Sequence, residues 1–169
     1  EEGGAGMSDE LPEGWARARI GDVFDCWGGM TPSTSEAKFW GGSMPWISSK
    51  DVKGPVVAGG TECVTERALA ENRLRKCPVG SVLVVVRSGV LVHTLPVAVT
   101  SREVVVNQDV KALDSGNPEV NAWAALYLRA TQRQILEANR KDGTTVQSIR
   151  MPELLDHELA VAPLAEQHR

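Results

Sequence analysis

Polar side chains that form strong hydrogen bonds stand next to apolar sequence at four places in the chain. The stretches GGMTPST and WISSKDV are rich in hydroxyl groups. Arg87 and Ser88 directly follow the apolar run SVLVVV, and Asn107 and Gln108 lie inside EVVVNQDVKAL. Hydroxyl, amide and guanidinium groups are suited to binding a polar ligand through directed hydrogen bonds. The chemistry that these residues suggest is therefore recognition.

Catalysis has little support in the sequence. A hydrolase needs a nucleophile, a base and an orienting acid, but the chain has no G-x-S-x-G motif, and Ser88, His93 and Asp109 match a triad only in residue type. The acidic residues are dispersed rather than clustered as in a metal nuclease. A methyltransferase would need a glycine-rich cofactor loop after a strand, which is absent. We predict a protein that is not an enzyme and uses no metal or cofactor.

Tryptophans flank the first two polar stretches. Pro32 and the glycines of the segment from Gly28 to Gly42 favour loop conformations. Trp40 and Trp46 come at the end of this loop, and large aromatic side chains bury much apolar area. We expect them to fix the loop on the core, because a loop ordered in advance loses less free energy on binding.

Composition indicates one domain that carries no membrane span. The chain has 169 residues, of which 42% are hydrophobic, and its apolar runs are far shorter than the roughly 20 residues of a transmembrane helix. The net charge of −4 owes much to four acidic residues among the first ten, so the rest is balanced. Cys26, Cys63 and Cys77 lack the spacing of a metal site and are interpreted as reduced core thiols of a cytoplasmic protein.

Helices and strands alternate in the predicted order of elements. Residues 65–76 form a helix capped by Thr65, and three β-branched runs between residues 81 and 113 form strands of one sheet. Residues 120–141 have the apolar spacing of one long helix. Residues 15–27 fit either a short helix or a strand. A short helix from Pro152, a last strand and the beginning of another helix complete the chain.

Several of these stretches, taken in order, resemble one known family. They are LPEGWARARIGDVFDCWGGMTPS, FWGGSMPWISSKDV, GSVLVVVRSG, VNQDVKAL, GTTVQSI and APLAEQ. Together they are similar to the target recognition domain of the specificity subunit of type I restriction-modification enzymes. The resemblance covers residues 11–167.

The resemblance implies a fold, a function and partners. The fold would be mixed α/β (α+β), a single globular domain with a curved, largely antiparallel sheet, flanking helices and DNA-reading loops. The domain would read one half of a split double-stranded DNA target and do no chemistry itself. Its partners would be methyltransferase subunits and, through them, restriction subunits. An alternative is a non-catalytic scaffold or regulatory module of such a complex.

The resemblance also suggests how the chain is divided. Residues 1–10 would be disordered or left over from expression, residues 11–163 would form the recognition domain, and residues 164–169 would begin a spacer helix. Since such subunits usually carry two recognition domains, we expect either a fragment or a half-size subunit that pairs with a second domain or a second copy.

The candidate DNA contacts follow from the polar loops. They are Thr31, Ser33, Thr34, Ser48, Lys50, Arg87, Ser88, His93, Asn107, Gln108, Thr144, Thr145, Gln147 and Arg150. Arginine can bind guanine with two hydrogen bonds, asparagine and glutamine can do so with adenine, and lysines and hydroxyls grip phosphates.

Each of these candidates also has a structural interpretation. The hydroxyls of the first loop could cap their own turn, and Arg87 could form a salt bridge. Lys50 could be solvated, and His93 could be an ordinary residue at the rim of the sheet. Asn107 and Gln108 could bond to backbone across a bulge, a role that we favour for at least one of them. Arg129 belongs to a basic group that we interpret as solvated helix faces.

Overall fold

Three sheets and six α-helices make up the computed structural model, which describes residues 10–140 and 145–167. The strands are β1 (Ala16–Arg19), β2 (Asp25–Gly28), β3 (Trp40–Ile47), β4 (Val56–Val57), β5 (Glu62–Val64), β6 (Val82–Val85), β7 (Val97–Thr100), β8 (Val105–Val106), β9 (Val110–Asp114) and β10 (Glu158–Val161). The helices are α1 (Ile20–Val23), α2 (Glu66–Glu71), α3 (Pro118–Ala130), α4 (Gln132–Ala138), α5 (Met151–Asp156) and α6 (Leu164–Gln167). Two 3-10 turns cover Ala37–Phe39 and Gly89–Val92.

The central sheet has the strand order β2-β9-β6-β7-β4. Its pairs are antiparallel except for β4 with β7. A second sheet, β5-β3-β8, and the antiparallel ribbon β1-β10 complete the strands. The predicted mixed α/β class with largely antiparallel pairing is therefore confirmed.

Strand β6 is buried on both faces and divides the core. Val82 and Val84 pack in a cluster with residues of α3, α4 and α5, whereas Leu83 and Val85 pack with Ile47 and other residues on the opposite face. This alternation follows from the two-residue period of a strand, and the continuous apolar run SVLVVV is the sequence pattern of a strand covered on both sides. A third cluster lies between α2 and the second sheet.

The β-rich middle of the chain differs from the prediction in one respect. The run EVVVNQDVKAL is two strands, β8 and β9, that belong to different sheets. The chain passes from one sheet to the other through Asn107, Gln108 and Asp109. The prediction of three strands in one sheet is therefore correct for β6, β7 and β9 and wrong for β8.

Helix α2 begins as predicted but is shorter. The Thr65 hydroxyl accepts a hydrogen bond from Ala68 N at 3.2 Å, which confirms the cap. The helix ends five residues before Lys76, because Arg73 adopts a left-handed conformation with φ of 49°. Leu74 N then bonds to Leu69 O at 3.1 Å, as in a Schellman motif.

The predicted long helix at residues 120–141 is two helices, α3 and α4. Thr131 leaves helical geometry between them, with φ of −99° and ψ of 12°. The Gln132 side chain accepts hydrogen bonds from Leu95 N at 3.0 Å and from the Thr94 hydroxyl at 2.8 Å. The break therefore ties the start of α4 to the segment before β7. Within the described residues, no helix has the length and apolar character needed to span a membrane.

Candidate nucleic-acid interface

An ion pair between Arg87 and Asp109 lies where β6 ends and β9 begins. The two strands are antiparallel with Val85 opposite Val110, so the residues that follow β6 and precede β9 are neighbours. Arg87 Nε donates to Asp109 Oδ1 at 2.6 Å, and the Arg87 side chain is 61% exposed. The pair therefore orients a guanidinium group toward solvent.

Asn107 and Gln108 differ in their exposure. Asn107 is buried, and its amide oxygen accepts a hydrogen bond from Asp109 N at 2.9 Å. This arrangement supports the structural interpretation of Asn107 and does not present its amide to solvent. Gln108 is exposed, and its Oε1 accepts a hydrogen bond from the Thr31 hydroxyl at 2.9 Å.

The first polar loop, residues 29–36, reaches this position because of a glycine. Gly29 N donates to Asn107 O at 3.3 Å. A Cβ atom at Gly29 would lie 1.6 Å from Val106 O, so only glycine fits without a shift of the backbone. This close approach places Thr31 beside Gln108.

Trp40 and Trp46 hold the first polar loop in place through hydrogen bonds, as expected. Trp46 Nε1 donates to Met30 O at 3.0 Å, and Trp40 Nε1 donates to Ser33 O at 3.0 Å. Their rings meet edge to face with centroids 5.2 Å apart. Ser33 and Thr34 are exposed at the end of the loop, where the Ser33 hydroxyl bonds to that of Ser35 at 2.8 Å.

The polar loop before α5, residues 145–149, joins the site through its backbone. Ser88 N donates to Gln147 O at 3.0 Å, and Ile149 N donates to Val86 O at 2.7 Å. Thr145 and Gln147 are exposed, whereas Thr144 lies outside the described residues. Three segments distant in the sequence therefore meet around Asp109. We call the exposed side chains of Arg87, Gln108 and Gln147, together with the half-buried Thr31, the polar face.

Arg150 is oriented away from these loops, toward the start of α5. Its Nη2 lies 2.8 Å from Glu153 Oε1, and its backbone N donates to Asn139 Oδ1 at 2.8 Å. Ser88 has a capping role, because its hydroxyl accepts a long bond of 3.4 Å from Val90 N in the following 3-10 turn. His93 is exposed at the end of that turn.

Asp51 organises the loop that carries Ser48 and Lys50. Its carboxylate accepts hydrogen bonds from the backbone N and hydroxyl of Ser48, at 2.8 and 2.7 Å, and from those of Thr61, both at 3.1 Å. Burial raises the pKa of Asp51, but these four bonds outweigh it and hold the pKa below its ordinary value. The Ser48 hydroxyl is therefore engaged inside the protein, while Lys50 is exposed.

Sequence reasoning missed Asp51 and Asp109 as the groups that position this site. In each case the signal was an aspartate two or three residues after a polar side chain, a spacing typical of local side-chain hydrogen bonds. Of the three thiols predicted to lie in the core, only Cys77 is buried, and burial raises its pKa to about 12, whereas Cys26 and Cys63 are half-buried. In the described part of the chain, no group of three or more His, Cys, Asp or Glu residues could hold a metal ion.

Comparison with known protein families identifies the domain. The family model described as the type I restriction modification DNA specificity domain matches residues 12–169, nearly the whole chain. The chain belongs to this family. The resemblance inferred from the sequence is thus confirmed.

Curated relatives of this specificity domain are specificity subunits. The chain is 32% identical over 151 residues to the EcoR124I/EcoR124II specificity subunit of Escherichia coli, covering 89% of this chain and 37% of that protein. It is 35% identical over 82 residues to the MjaIX specificity subunit of Methanocaldococcus jannaschii, covering 47% of this chain and 19% of that protein. The chain therefore spans little more than a third of the first relative.

Solved structures of the same class share the fold. The HsdS subunit from Thermoanaerobacter tengcongensis superposes with a TM-score of 0.67 at 20% identity, over 96% of this chain and 36% of that one. The type I restriction-modification S subunit from M. genitalium gives a TM-score of 0.58 at 19% identity, over 96% of this chain and 38% of that one.

Proposed function

We propose that this domain reads one half of a split double-stranded DNA target and that the polar face makes the base contacts. The observation that carries the proposal is the meeting of three distant segments around Asp109, where each exposes a side chain suited to base edges. Membership in a DNA specificity family supports the same assignment.

Arg87 is the main reader in this proposal. Nε of the Arg87 guanidinium donates to Asp109, and the guanidinium forms no other hydrogen bond with the described residues. The two terminal nitrogens remain available for the N7 and O6 acceptors of a guanine. The salt bridge and the reading role are therefore compatible, since the carboxylate restricts the rotamers of the arginine before DNA arrives.

Gln108 and Gln147 supply exposed amides that can pair with adenine. We assign Thr31, Ser33, Thr34, Thr145, Lys50, Ser88 and His93 to flanking contacts with bases or phosphates. Ser48 and Asn107 act by positioning their loops, because both are bonded to aspartates inside the protein. Arg150, which pairs with Glu153, would contact DNA only if that pair opened.

The domain would act as the non-catalytic part of a larger assembly in the cytoplasm. We propose that it works with methyltransferase subunits and, through them, restriction subunits. A second recognition domain, in the same protein or in a second copy, would read the other half of the target. Residues 164–169 would then lead into the spacer helix between the two halves.

A binding selection on randomised duplex DNA at low salt tests the proposal. Wild-type protein should enrich one short motif, and Arg87→Ala should relax the preference at one base pair by about 1–3 kcal/mol. Arg19→Ala is the matched control, because Arg19 is also a surface arginine paired with an aspartate, Asp156 at 3.1 Å, and is 58% exposed.

Two results of the selection would contradict the proposal. If folded wild-type protein enriched no motif, sequence reading would be wrong. Binding to a methyltransferase in that case would favour the scaffold role. If Arg19→Ala altered the motif as much as Arg87→Ala, the polar face would not be the reading surface.

A further inference from the structure

A cleft of about 490 Å³ opens beside the polar face and is rich in positive charge. One wall is the loop at residues 49–54, and the other is formed by the 3-10 turn after Ser88, the segment before β7, and the end of α3. Lys50, Lys53 and Arg129 line it, and none of the described residues in its lining is an aspartate or a glutamate. Ser88 belongs to the cleft and directly follows Arg87, so the cleft and the polar face are continuous.

These three cations lack an acidic partner in the part of the chain that the structure describes. Among the described residues, none of them forms an ion pair. By contrast, most of the basic group near α2 is paired: Arg67 with Glu71 at 2.6 Å, Arg75 with Asp25 at 2.5 Å, and Lys76 with Glu103 at 3.1 Å. The cleft thus brings together three cations that form no ion pair with the described residues.

Both walls of the cleft are held in position. The bonds from the Asp51 carboxylate to Ser48 and Thr61 form what we call the Asp51 clasp. Lys53 N donates to Asp51 O at 3.1 Å, so the clasp also fixes the loop at residues 49–54. On the other wall, Gln132 Nε2 donates to Arg129 O at 3.0 Å while its Oε1 binds Leu95 N. The backbones that carry Lys53 and Arg129 are therefore fixed even though the side chains end in solvent.

The apolar floor of the cleft strengthens the positive electrostatic potential inside it. Val52, Leu95 and Val97 are buried apolar residues in the lining. Low-dielectric walls lined by charge of one sign focus the electrostatic potential and attract counter-charge. Such a surface fits a polyanion, whose phosphates are spaced along a strand, better than it fits a neutral ligand.

We propose that this cleft holds a segment of the sugar–phosphate backbone of duplex DNA, with Lys53 and Arg129 as phosphate contacts. This inference rests on the proposed function and adds to it the surface that positions the duplex while the polar face reads its bases. Lys53 and Arg129 are 76 positions apart in the sequence, and neither belongs to the polar loops. Their contribution is to affinity and register, because phosphate contacts carry no sequence information directly.

The salt dependence of binding tests this inference. The double variant Lys53→Ala/Arg129→Ala should bind short duplexes of random sequence with a shallower slope of log affinity against log NaCl concentration. The slope should fall by about 2, since each phosphate contact contributes roughly 0.9. The motif obtained by selection should stay the same.

The matched control removes two other cations that form no ion pair with the described residues. Arg73→Asn/Arg102→Ala removes the same amount of charge outside the cleft. Arg73 follows α2, and Arg102 follows β7, whereas the cleft is lined by the residues at the beginning of β7. Asparagine at residue 73 tolerates the left-handed backbone. This variant should lower the slope by less than half as much.

The possible outcomes separate the two proposals. An unchanged slope in the cleft variant, or equal slopes in both double variants, would overturn the cleft as a phosphate site even if a motif were selected. A shallower slope without any selected motif would uphold the cleft and contradict sequence reading. Absence of DNA binding by folded protein at low salt would contradict both.

Discussion

Two tryptophan pairs of nearly the same geometry serve different regions of the molecule. Trp40 and Trp46 meet edge to face at 5.2 Å, and Trp15 and Trp123 do so at 5.5 Å. The first pair donates its indole N–H groups to the carbonyls of the first polar loop. The second pair donates to Glu166 Oε2 at 3.0 Å and to Ala160 O at 2.8 Å. The same arrangement therefore orders the first polar loop in one region and a junction between chain segments in the other.

The charges of the two regions are also opposite. A second cleft, of about 630 Å³, lies on the side of Trp123 and β10. Four acidic residues line it: Glu10, Glu153, Asp156 and Glu158. Among the described residues, its basic side chains are Arg17 and His157. Burial lowers the pKa of His157, although Glu158 opposes the shift, so the imidazole adds little positive charge at neutral pH. The near-neutral composition thus conceals one basic cleft and one acidic cleft.

The largest effect should come from breaking the close approach that brings the polar loop into place. Gly29→Ala puts a methyl group against Val106 O, and we expect it to destabilise the fold by about 2–3 kcal/mol and to weaken DNA binding. Gly59→Ala is the control, because a Cβ atom there meets nothing within 4 Å. Urea unfolding of both variants checks this, and equal stabilities would contradict the account of Gly29.

The two tryptophan pairs can be compared directly by removing one indole N–H from each. Trp46→Phe and Trp123→Phe should each lower the free energy of unfolding by about 1 kcal/mol, because each loses one hydrogen bond to a backbone carbonyl. Only Trp46→Phe should reduce affinity for the selected DNA motif, because only it loosens the polar loop. Equal losses of DNA affinity in the two variants would remove the distinction between the regions.

A smaller, pH-dependent effect should reveal the Asp51 clasp. The folded-state pKa of Asp51 is lowered, so its contribution to stability is present above the pKa of the unfolded chain and is lost as the pH falls through the folded-state pKa. Wild type should therefore be more stable than Asp51→Asn at neutral pH, and the difference should shrink in acid.

Urea unfolding of wild type and Asp51→Asn from neutral to acidic pH measures the difference in their free energies of unfolding. Asp22→Asn, at an exposed carboxylate, should change the free energy of unfolding by less than about 0.5 kcal/mol. A difference between wild type and Asp51→Asn that does not change with pH would show that the ionised carboxylate is not what the clasp uses.

Local patterns predicted the elements better than they predicted the connections. The Thr65 cap and the buried strand in SVLVVV are fixed by neighbours in sequence, and both were predicted. The change of sheet at Asn107–Asp109 was not, because the flanking β-branched runs favour strands without specifying which sheet they join. Helix α3 ends before Thr131, and the next residue, Gln132, bonds to Leu95 N. Such a contact between segments distant in the sequence cannot be predicted from local periodicity.

The same distinction applies to the site. The sequence predicted which loops are polar, and Arg87, Gln108 and Gln147 are indeed exposed at one place. It predicted that at least one of Asn107 and Gln108 bonds to backbone, as Asn107 does with Asp109 N, but it did not identify which of the two is buried. Nor did it predict the basic cleft, because Lys53 and Arg129 are ordinary surface residues until the fold brings them together.

DNA binding by the polar face and the basic cleft is tested most directly by mapping amide chemical-shift changes during titration with the selected duplex. We expect shifts concentrated in residues 29–36, 49–54, 87–94, 107–109 and 145–148, with little change in β1, β10 and α5. Shifts concentrated around Trp15, Trp123 and the acidic cleft, with the polar face unchanged, would contradict this expectation.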